Sequence, residues 1–136
     1  MSAHKSNIAL GLGCDRGTPA STIAQCIAEA LTQAKATLAD VKAVASIDLK
    51  ADEVGLAEVA AANGWTIRFY PAAELATVDV PNPSETVRKY TGTPSVSEAS
   101  AILVAGADQR HLLIEKHKLR GPDGRNATVS IVRMPC

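Results

Sequence analysis

Aromatic residues are scarce in this 136-residue chain, at 3% of the total, with one Trp, two Tyr and one Phe. So few rings argue against a surface that stacks nucleic-acid bases, and they leave Ala, Val, Ile and Leu to build the core. Net charge is also absent, because 14 basic residues balance 14 acidic ones. A neutral chain offers no broad phosphate-binding surface, so nucleic acid is not an expected partner.

Cysteines are few, and Cys14, Cys26 and Cys136 lack CxxC spacing. An odd number without that spacing argues against a disulfide framework or a zinc site, and neither a metal nor a cofactor is expected. No apolar stretch approaches bilayer length, and the N-terminal MSAHKSN has no apolar signal segment. We therefore expect a cytoplasmic protein with free thiols and no membrane association.

The remaining composition, 46% hydrophobic and 21% charged, is typical of one globular domain. Apolar segments at 8–13, 41–47 and 65–70 predict three strands. Helical spacing of apolar residues predicts two intervening helices, one capped by Thr18 and ending near Ala34, the other at about 53–63. The alternation of strand and helix predicts parallel pairing of these strands.

The second half of the chain predicts shorter elements. They are a helical turn at 71–75, a helix from an Asn82 N-cap to about Thr91, a helix that opens on the capping box Ser95–Glu98, and a hairpin of strands at 112–118 and 127–133. The predicted fold is a single three-layer α/β/α domain over residues 1–136, with a mixed sheet of about five strands. A flexible N-terminus is expected at 1–6.

The loop GLGCDRGTP, residues 11–19, joins the first predicted strand to the first helix. Its third glycine, Gly17, is one position late for the dinucleotide fingerprint GxGxxG, and the chain has no GK[ST] of a P-loop. Cys14 lies near Arg16 and a helix N-terminus, but no histidine is placed by the sequence to serve as its base, so a packed residue is the alternative. Backbone N–H groups at Gly17 and Thr18, together with Arg16, predict an anion site, with a solvated Arg16 as the alternative.

A second charged cluster, Asp48-Leu-Lys50-Ala-Asp52-Glu53, follows the second strand, at the edge where parallel sheets place their sites. Its side chains could hold an acid, a base and a cation together. The alternative is a solvated loop in which Asp52 caps the next helix. Three further segments are candidates whose alternatives are helix capping or simple solvation: 80–85, 93–98 and the basic strand at 116–120.

Read in order, the motifs GLGCDRGTP, SIDLKADEVGLAEVA, VPNPSETV and GTPSVSEASAIL resemble the C-terminal domain of the cobalamin biosynthesis protein CbiG and its stand-alone CobE-type relatives. The resemblance covers about residues 8–133. It implies a role in the aerobic route to cobalamin, as a protein that binds a precorrin, a tetrapyrrole fringed with acetate and propionate carboxylates. Other enzymes of cobalamin biosynthesis are the implied protein partners.

The resemblance also implies a reaction and a set of site residues. CbiG-type proteins open the δ-lactone of cobalt-precorrin-5A and release acetaldehyde. An enzyme of this kind would use Asp48 or Glu53 to activate water and Lys50 to stabilise negative charge. The residues expected to bind substrate are Gly13, Cys14, Arg16, Gly17, Thr18, Asp52, Asn82, Ser84, Gly92, Ser95 and Glu98. Three functions stay open: a precorrin lactone hydrolase, a non-catalytic carrier that protects an intermediate, and a nucleotide-binding domain.

Overall fold

The computed structural model describes residues 7–135, so the flexible segment predicted at 1–6 lies outside the described residues. The strands and α-helices within this range are β1 (Ile8–Cys14), α1 (Ala20–Ala34), β2 (Val41–Ile47), α2 (Val54–Asn63), β3 (Ile67–Tyr70), α3 (Ala72–Leu75), α4 (Glu85–Thr91), α5 (Val96–Ala105), β4 (Leu112–Arg120) and β5 (Asn126–Arg133). Within residues 7–135, none of the helices combines the length and apolarity that crossing a membrane requires.

The five strands form one mixed sheet in the order β3-β2-β1-β5-β4. Strands β1, β2 and β3 pair in parallel, whereas β5 runs antiparallel to both β1 and β4. Helices α1 and α2 share a core with one face of the sheet, and α5 packs on the other. The predicted three-layer domain, with a parallel first half and a C-terminal hairpin, is confirmed.

Strand β1 is buried on both faces, and its side chains alternate between the two helix layers. Leu10 and Leu12 belong to the core beneath α1, whereas Ala9 packs against α5. Gly11 faces α5, where a side chain would collide with the Ser97 carbonyl oxygen. Glycine at this position therefore lets α5 lie directly on the strand, with the helix N-terminus near the end of β1.

The N-cap predicted for α1 is wrong. The helix begins at Ala20 with Pro19 in the cap position, and the Pro19 carbonyl oxygen accepts the first helical hydrogen bonds. Thr18 Oγ1 donates to the Asp15 carbonyl oxygen at 2.7 Å, and among the described residues no helix N–H donates to it. The buried hydroxyl closes the turn before the helix.

The caps predicted for the two later helices also differ from the structure. The cap of α4 is Ser84, whose Oγ accepts a helix N–H at 3.2 Å, and Asn82 lies two residues earlier. Ser95 does precede α5, but its hydroxyl accepts no helix N–H, and Glu98 accepts a hydrogen bond from Asn82 instead of closing the capping box. For Glu98, a distant partner, Asn82, therefore replaces the local bond of the predicted capping box.

Strand β3 is shorter than the predicted 65–70. The Trp65 N–H donates to the Ala60 carbonyl oxygen at 2.9 Å, across Gly64 with φ of 69°. This bond belongs to the C-terminal cap of α2. Strand β3 therefore begins only at Ile67.

Candidate ligand-binding cleft

A cleft of about 560 Å³ lies at the C-terminal end of β1. Its lining comes from β1 and the loop after it, from the turn after β2, from α4 and the start of α5, and from the hairpin of β4 and β5. The C-terminal ends of parallel strands are where open α/β sheets place their ligands. The fold therefore presents a cavity at the edge that the sequence indicated.

Three lysines give this cleft a positive lining. Lys50 follows β2, while Lys116 and Lys118 lie two residues apart on β4 and so share one face of the strand. Among residues 7–135, none of the three lies within ion-pair distance of a carboxylate. Asp15 also lines the cleft, but its carboxylate already accepts the backbone and side-chain N–H groups of Asn126, at 2.8 and 3.0 Å. The lysines are thus available to an anionic ligand.

Helix α4 forms an apolar wall of the same cleft. It contributes Val87 and Tyr90, with Thr86 and Thr91 beside them. Tyr90 is 78% exposed, and no residue of α4 is fully buried. An exposed ring beside a cleft provides a flat surface against which a planar ligand can pack. The cleft therefore combines ammonium groups with an apolar surface.

Arg16 connects the loop after β1 to the start of α2. Its Nη1 lies 2.7 Å from both Asp52 Oδ1 and Glu53 Oε2, and its Nη2 donates to the Leu49 carbonyl oxygen at 2.9 Å. Glu53 Oε1 accepts the Gly17 N–H at 3.0 Å. We call the contacts among Arg16, Asp52 and Glu53 the arginine staple. They fix the loop that carries Cys14 and Arg16 against α2.

The two carboxylates of the staple differ in burial. The Glu53 side chain is 3% exposed and that of Asp52 is 78% exposed. The hydrogen bond from Arg16 lowers the pKa of Asp52 and in return raises the pKa of Arg16. Glu53 Oε2 accepts no hydrogen bond from the described residues, so it meets Arg16 as a charge contact alone. Arg16 is therefore engaged with two acids before any ligand arrives.

Burial raises the pKa of the Cys14 thiol to about 11, and the positive charge of Lys50 offsets only part of that shift. The thiol is therefore protonated at neutral pH, which disfavours a nucleophile. Neither His111 nor His117 lines the cleft, and His117 Nε2 lies 2.7 Å from Glu29 Oε1 on α1. The geometry favours the interpretation of Cys14 as a packed residue.

The predicted site residues fall into three groups. Those that line the cleft are Gly13, Cys14, Arg16 and Lys50. Those that line a groove of about 440 Å³, which shares Arg16 with the cleft, are Gly17, Thr18, Asp52 and Glu53. The rest line neither cavity: Asp48, Asn82, Ser84, Gly92, Ser95 and Glu98. The binding and catalytic roles given to these residues stay predictions.

The residues of the third group have structural partners or positions of their own. Ser84 and Gly92 cap the two ends of α4, and Gly92 has a φ of 86°. Ser95 and Glu98 have no exposed surface. Asp48 is exposed at the start of a 3-10 turn over Asp48–Lys50. The staple, and not a helix cap, is the contact made by Asp52, because Glu53 is the residue that precedes α2.

Lys116 and Lys118 belong to the basic strand at 116–120, a candidate whose alternative was simple solvation, whereas the sequence did not single out Tyr90, which also lines the cleft. The available signal is the alternation Lys-His-Lys at 116–118, which places both lysines on one face of β4. A strand pattern cannot say whether that face meets solvent or a cavity. The position of α4 decides the question, and only the tertiary structure supplies it.

Comparison with known proteins gives the family context. A family model described as Cobalamin synthesis G C-terminus matches residues 8–132. The chain is 40% identical over 128 residues to the cobalt-precorrin-5A hydrolase of Priestia megaterium, an alignment that covers 94% of this chain and 32% of that protein. It is 36% identical over 105 residues to Protein CobE of a Sinorhizobium species, covering 76% of this chain and 68% of that one. The chain thus spans about a third of the hydrolase's length.

A solved structure shares the fold. The crystal structure of CobE, described as a protein from the cobalamin (vitamin B12) biosynthetic pathway, matches with a TM-score of 0.76 at 29% identity. The match covers 95% of this chain and 91% of that one. The likeness therefore extends over the whole α/β/α domain.

Proposed function

Because the chain belongs to the cobalamin synthesis G C-terminal family of cobalamin biosynthesis proteins, we propose that its cleft binds a corrin precursor of that pathway. The observation that carries this proposal is the set of three lysines, Lys50, Lys116 and Lys118, without carboxylate partners among the described residues. Corrin precursors carry several carboxylates around a macrocycle. A cluster of ammonium groups beside an apolar wall matches that chemistry.

The shape of the cleft supports the same ligand class. Its volume of about 560 Å³ lies within the range of roughly 300–1,000 Å³ usual for small-molecule sites. Tyr90 and Val87 would contact the apolar body of the macrocycle, while the lysines on β4 receive carboxylates at its edge. A nucleotide has no comparable match, because the loop over 11–19 has the wrong glycine spacing for a pyrophosphate.

Within this function we favour a carrier that holds the precursor without changing it. The carboxylates proposed to activate water are not presented to the cleft: Asp48 does not line it, and Glu53 is buried against Arg16 and the Gly17 N–H. Lys50, which lines the cleft, would then serve to bind a carboxylate of the ligand. The residues that line the cleft are therefore sufficient for a carrier, which needs only to bind its ligand.

Lactone hydrolysis is the second candidate, because a relative that is 40% identical over 94% of this chain is named as a cobalt-precorrin-5A hydrolase. In that reaction water adds to the lactone carbonyl, the ring C–O bond breaks, and the two oxygens end as a carboxylate and a hydroxyl. Asp48 or Glu53 would take the proton from water and Lys50 would stabilise the oxyanion. These roles require a ligand that reaches beyond the cleft towards α2.

A titration of the purified chain with a metal-free corrin precursor, followed by the absorbance of the macrocycle, tests the binding. We expect saturable binding that the double variant Lys116→Gln/Lys118→Gln weakens by about tenfold or more, since charge-assisted hydrogen bonds are lost. Lys42→Gln is the matched control, because Lys42 is exposed at the opposite end of β2 from Lys50. Equal affinities for the double variant and the wild type would refute the site.

Mass analysis of the ligand after incubation separates the two candidates. A carrier returns a lactone-containing precursor with its mass unchanged. A hydrolase returns it heavier by one water or, if acetaldehyde is also released, lighter by the mass of acetaldehyde less that of the added water. If turnover occurs, Asp48→Ala and Lys50→Ala should each abolish it, and undiminished turnover would remove these residues from the reaction.

A further inference from the structure

Asn82 was expected to contact substrate, yet it bonds to two carboxylates from different elements. Its Nδ2 donates to Glu98 Oε2 on α5 at 2.6 Å and to Glu115 Oε1 on β4 at 3.0 Å. Its backbone carbonyl oxygen accepts from Lys116 Nζ at 3.5 Å. One residue thus joins α5, β4 and a lysine of the cleft.

The bond to Asn82 matters because its acceptor on α5, Glu98, is buried. Glu98 has no exposed surface, and its other oxygen, Oε1, accepts no hydrogen bond from the described residues. Asn82 is therefore the sole side-chain or backbone donor to this buried carboxylate within residues 7–135. Loss of the amide would leave a buried polar group without its donor, which is expensive.

The segment that Asn82 begins carries the α4 wall of the cleft. The Ser84 N–H donates to the Pro94 carbonyl oxygen at 2.9 Å, which brings the two ends of the segment together. Between these ends α4 has no fully buried residue, and Val87 is its half-buried contact with the core. The position of α4 therefore depends strongly on how the ends of the segment are held.

We propose that Asn82 is a positioning residue, a latch that holds segment 82–94, and with it the α4 wall, against α5 and β4. The two N–H groups of one amide allow the carboxylates of Glu98 and Glu115 to lie close together, because each accepts a separate hydrogen bond. An aspartate at 82 would instead place a third negative charge between them. The latch would then open, and Tyr90 would leave its place beside the lysines.

Trypsin provides a readout that needs no ligand, because α4 carries Arg88 and Lys89. We expect Asn82→Asp to speed cleavage at these two positions by about tenfold, since opening of the segment no longer breaks a charge-assisted hydrogen bond. Cleavage at Lys42 and Arg68, which lie on β2 and β3, should keep its wild-type rate. Equal acceleration at all four positions would indicate global unfolding and overturn the latch, as would an unchanged rate at Arg88 and Lys89.

A reciprocal double variant tests the bond itself. In Asn82→Asp/Glu98→Gln the donor and acceptor are exchanged, so an amide on α5 can donate to a carboxylate at position 82. We expect the cleavage rate at Arg88 and Lys89 to return part of the way to the wild-type value, because the carboxylate at position 82 still faces Glu115 without a donor between them. A rate that stays as high as in the single variant would rule out the bond between positions 82 and 98 as the cause. Asn63→Asp, with the same charge change on α2, serves as the control and should leave the rate unaltered.

The effect of the latch on affinity rests on the proposed binding of a corrin precursor. Asn82→Asp should weaken binding of the metal-free precursor, and the reciprocal double variant should restore part of the lost affinity. Failure of the wild-type protein to bind the precursor would refute the proposed function, while the cleavage rates would still decide the latch. Binding that is unaffected by Asn82→Asp, with faster cleavage at α4, would overturn the positioning role.

Discussion

The loop after β1 and helix α4 line the same cleft but are held in different ways. The loop is fixed by the arginine staple, in which Glu53 is almost completely buried and accepts both a charge contact from Arg16 and the Gly17 N–H. Helix α4 has no fully buried residue and is tied mainly at its ends, by Asn82 and by the bond from Ser84 to Pro94. One wall is therefore preformed and the other is lightly held.

This difference fits a site that receives a large, flat ligand. Groups that fix the position of a charged ligand are most effective on rigid elements, and the lysines lie on β4 and on the turn after β2. An apolar wall can adjust to the ring, because packing against Tyr90 demands less exact geometry than hydrogen bonding does. Elements that move for ligands are drawn from the less stable parts of a fold.

The staple offers the largest expected effect on stability. Glu53→Gln removes a buried carboxylate that faces Arg16, and we expect the free energy of unfolding to fall by about 2 kcal/mol. Asp52→Asn is a matched control, because Asp52 lies at the same 2.7 Å from the same Nη1 but is 78% exposed. Exposed ion pairs contribute little. Urea unfolding should therefore separate the two variants, and similar losses from both would contradict a preformed wall anchored by Glu53.

The lightly held wall should show a smaller and local effect. Ser84→Ala removes the side-chain cap of α4, which costs the helix about 1 kcal/mol. Because α4 buries no residue fully, we expect faster hydrogen exchange at residues 85–91 and almost no change in the urea midpoint. A midpoint that falls as far as in Glu53→Gln would mean that α4 is as integrated as the loop.

The smallest expected effect concerns the rigid wall formed by the loop after β1. It is a change in the rate at which the Cys14 thiol is alkylated. Its raised pKa of about 11, caused first by burial, predicts slow alkylation by iodoacetamide at neutral pH and a steep rise towards pH 11. Lys50→Gln should slow the reaction a few-fold at a given pH, because the charge of Lys50 lowers this pKa. Peptide mass mapping of the Cys14 adduct measures both. A rate that levels off near neutral pH would contradict a packed thiol.

The same shift has a defined effect on stability. The thiol loses its proton at a lower pH in the unfolded chain, near 9.0, than in the folded one, near 11. The unfolded state therefore binds fewer protons between these values, and the free energy of unfolding falls as the pH rises through them. Below pH 9 this contribution to stability is present in full.

The rigid wall was largely predictable from the sequence, because its signals are local. An apolar strand ending in glycines, followed by a helix, places Cys14 and Arg16 at the sheet edge, and the second strand brings Lys50 there. The pairing of Arg16 with Asp52 and Glu53 was not predictable, since it joins residues more than 30 positions apart. Because of that pairing, three residues that the sequence offered as site candidates contact one another in the folded chain.

Helix α4 and strand β4 were predictable as helix and strand, and segments 80–85 and 116–120 as candidates, but the cleft that they line together was not. Asn82 and Ser84 are both good N-cap residues, and the sequence does not reveal that Glu98, 16 positions later, takes the side chain of the first. The lysines of β4 line the cleft because of the strand order β1-β5-β4 and the position of α4. Long-range contacts of this kind cannot be inferred from the spacing of residues within one segment.

The most direct test of the lysine-lined cleft changes the protein and the ligand together. Calorimetric titration would compare wild type and Lys116→Gln/Lys118→Gln, each with a metal-free corrin precursor bearing free carboxylates and with the same macrocycle fully amidated. We predict that the substitutions weaken binding of the free acid by about tenfold and leave the amidated form almost unaffected, because only the carboxylates engage the lysines. An equal loss for both ligands, or no loss for either, would contradict carboxylate recognition by the lysines of β4.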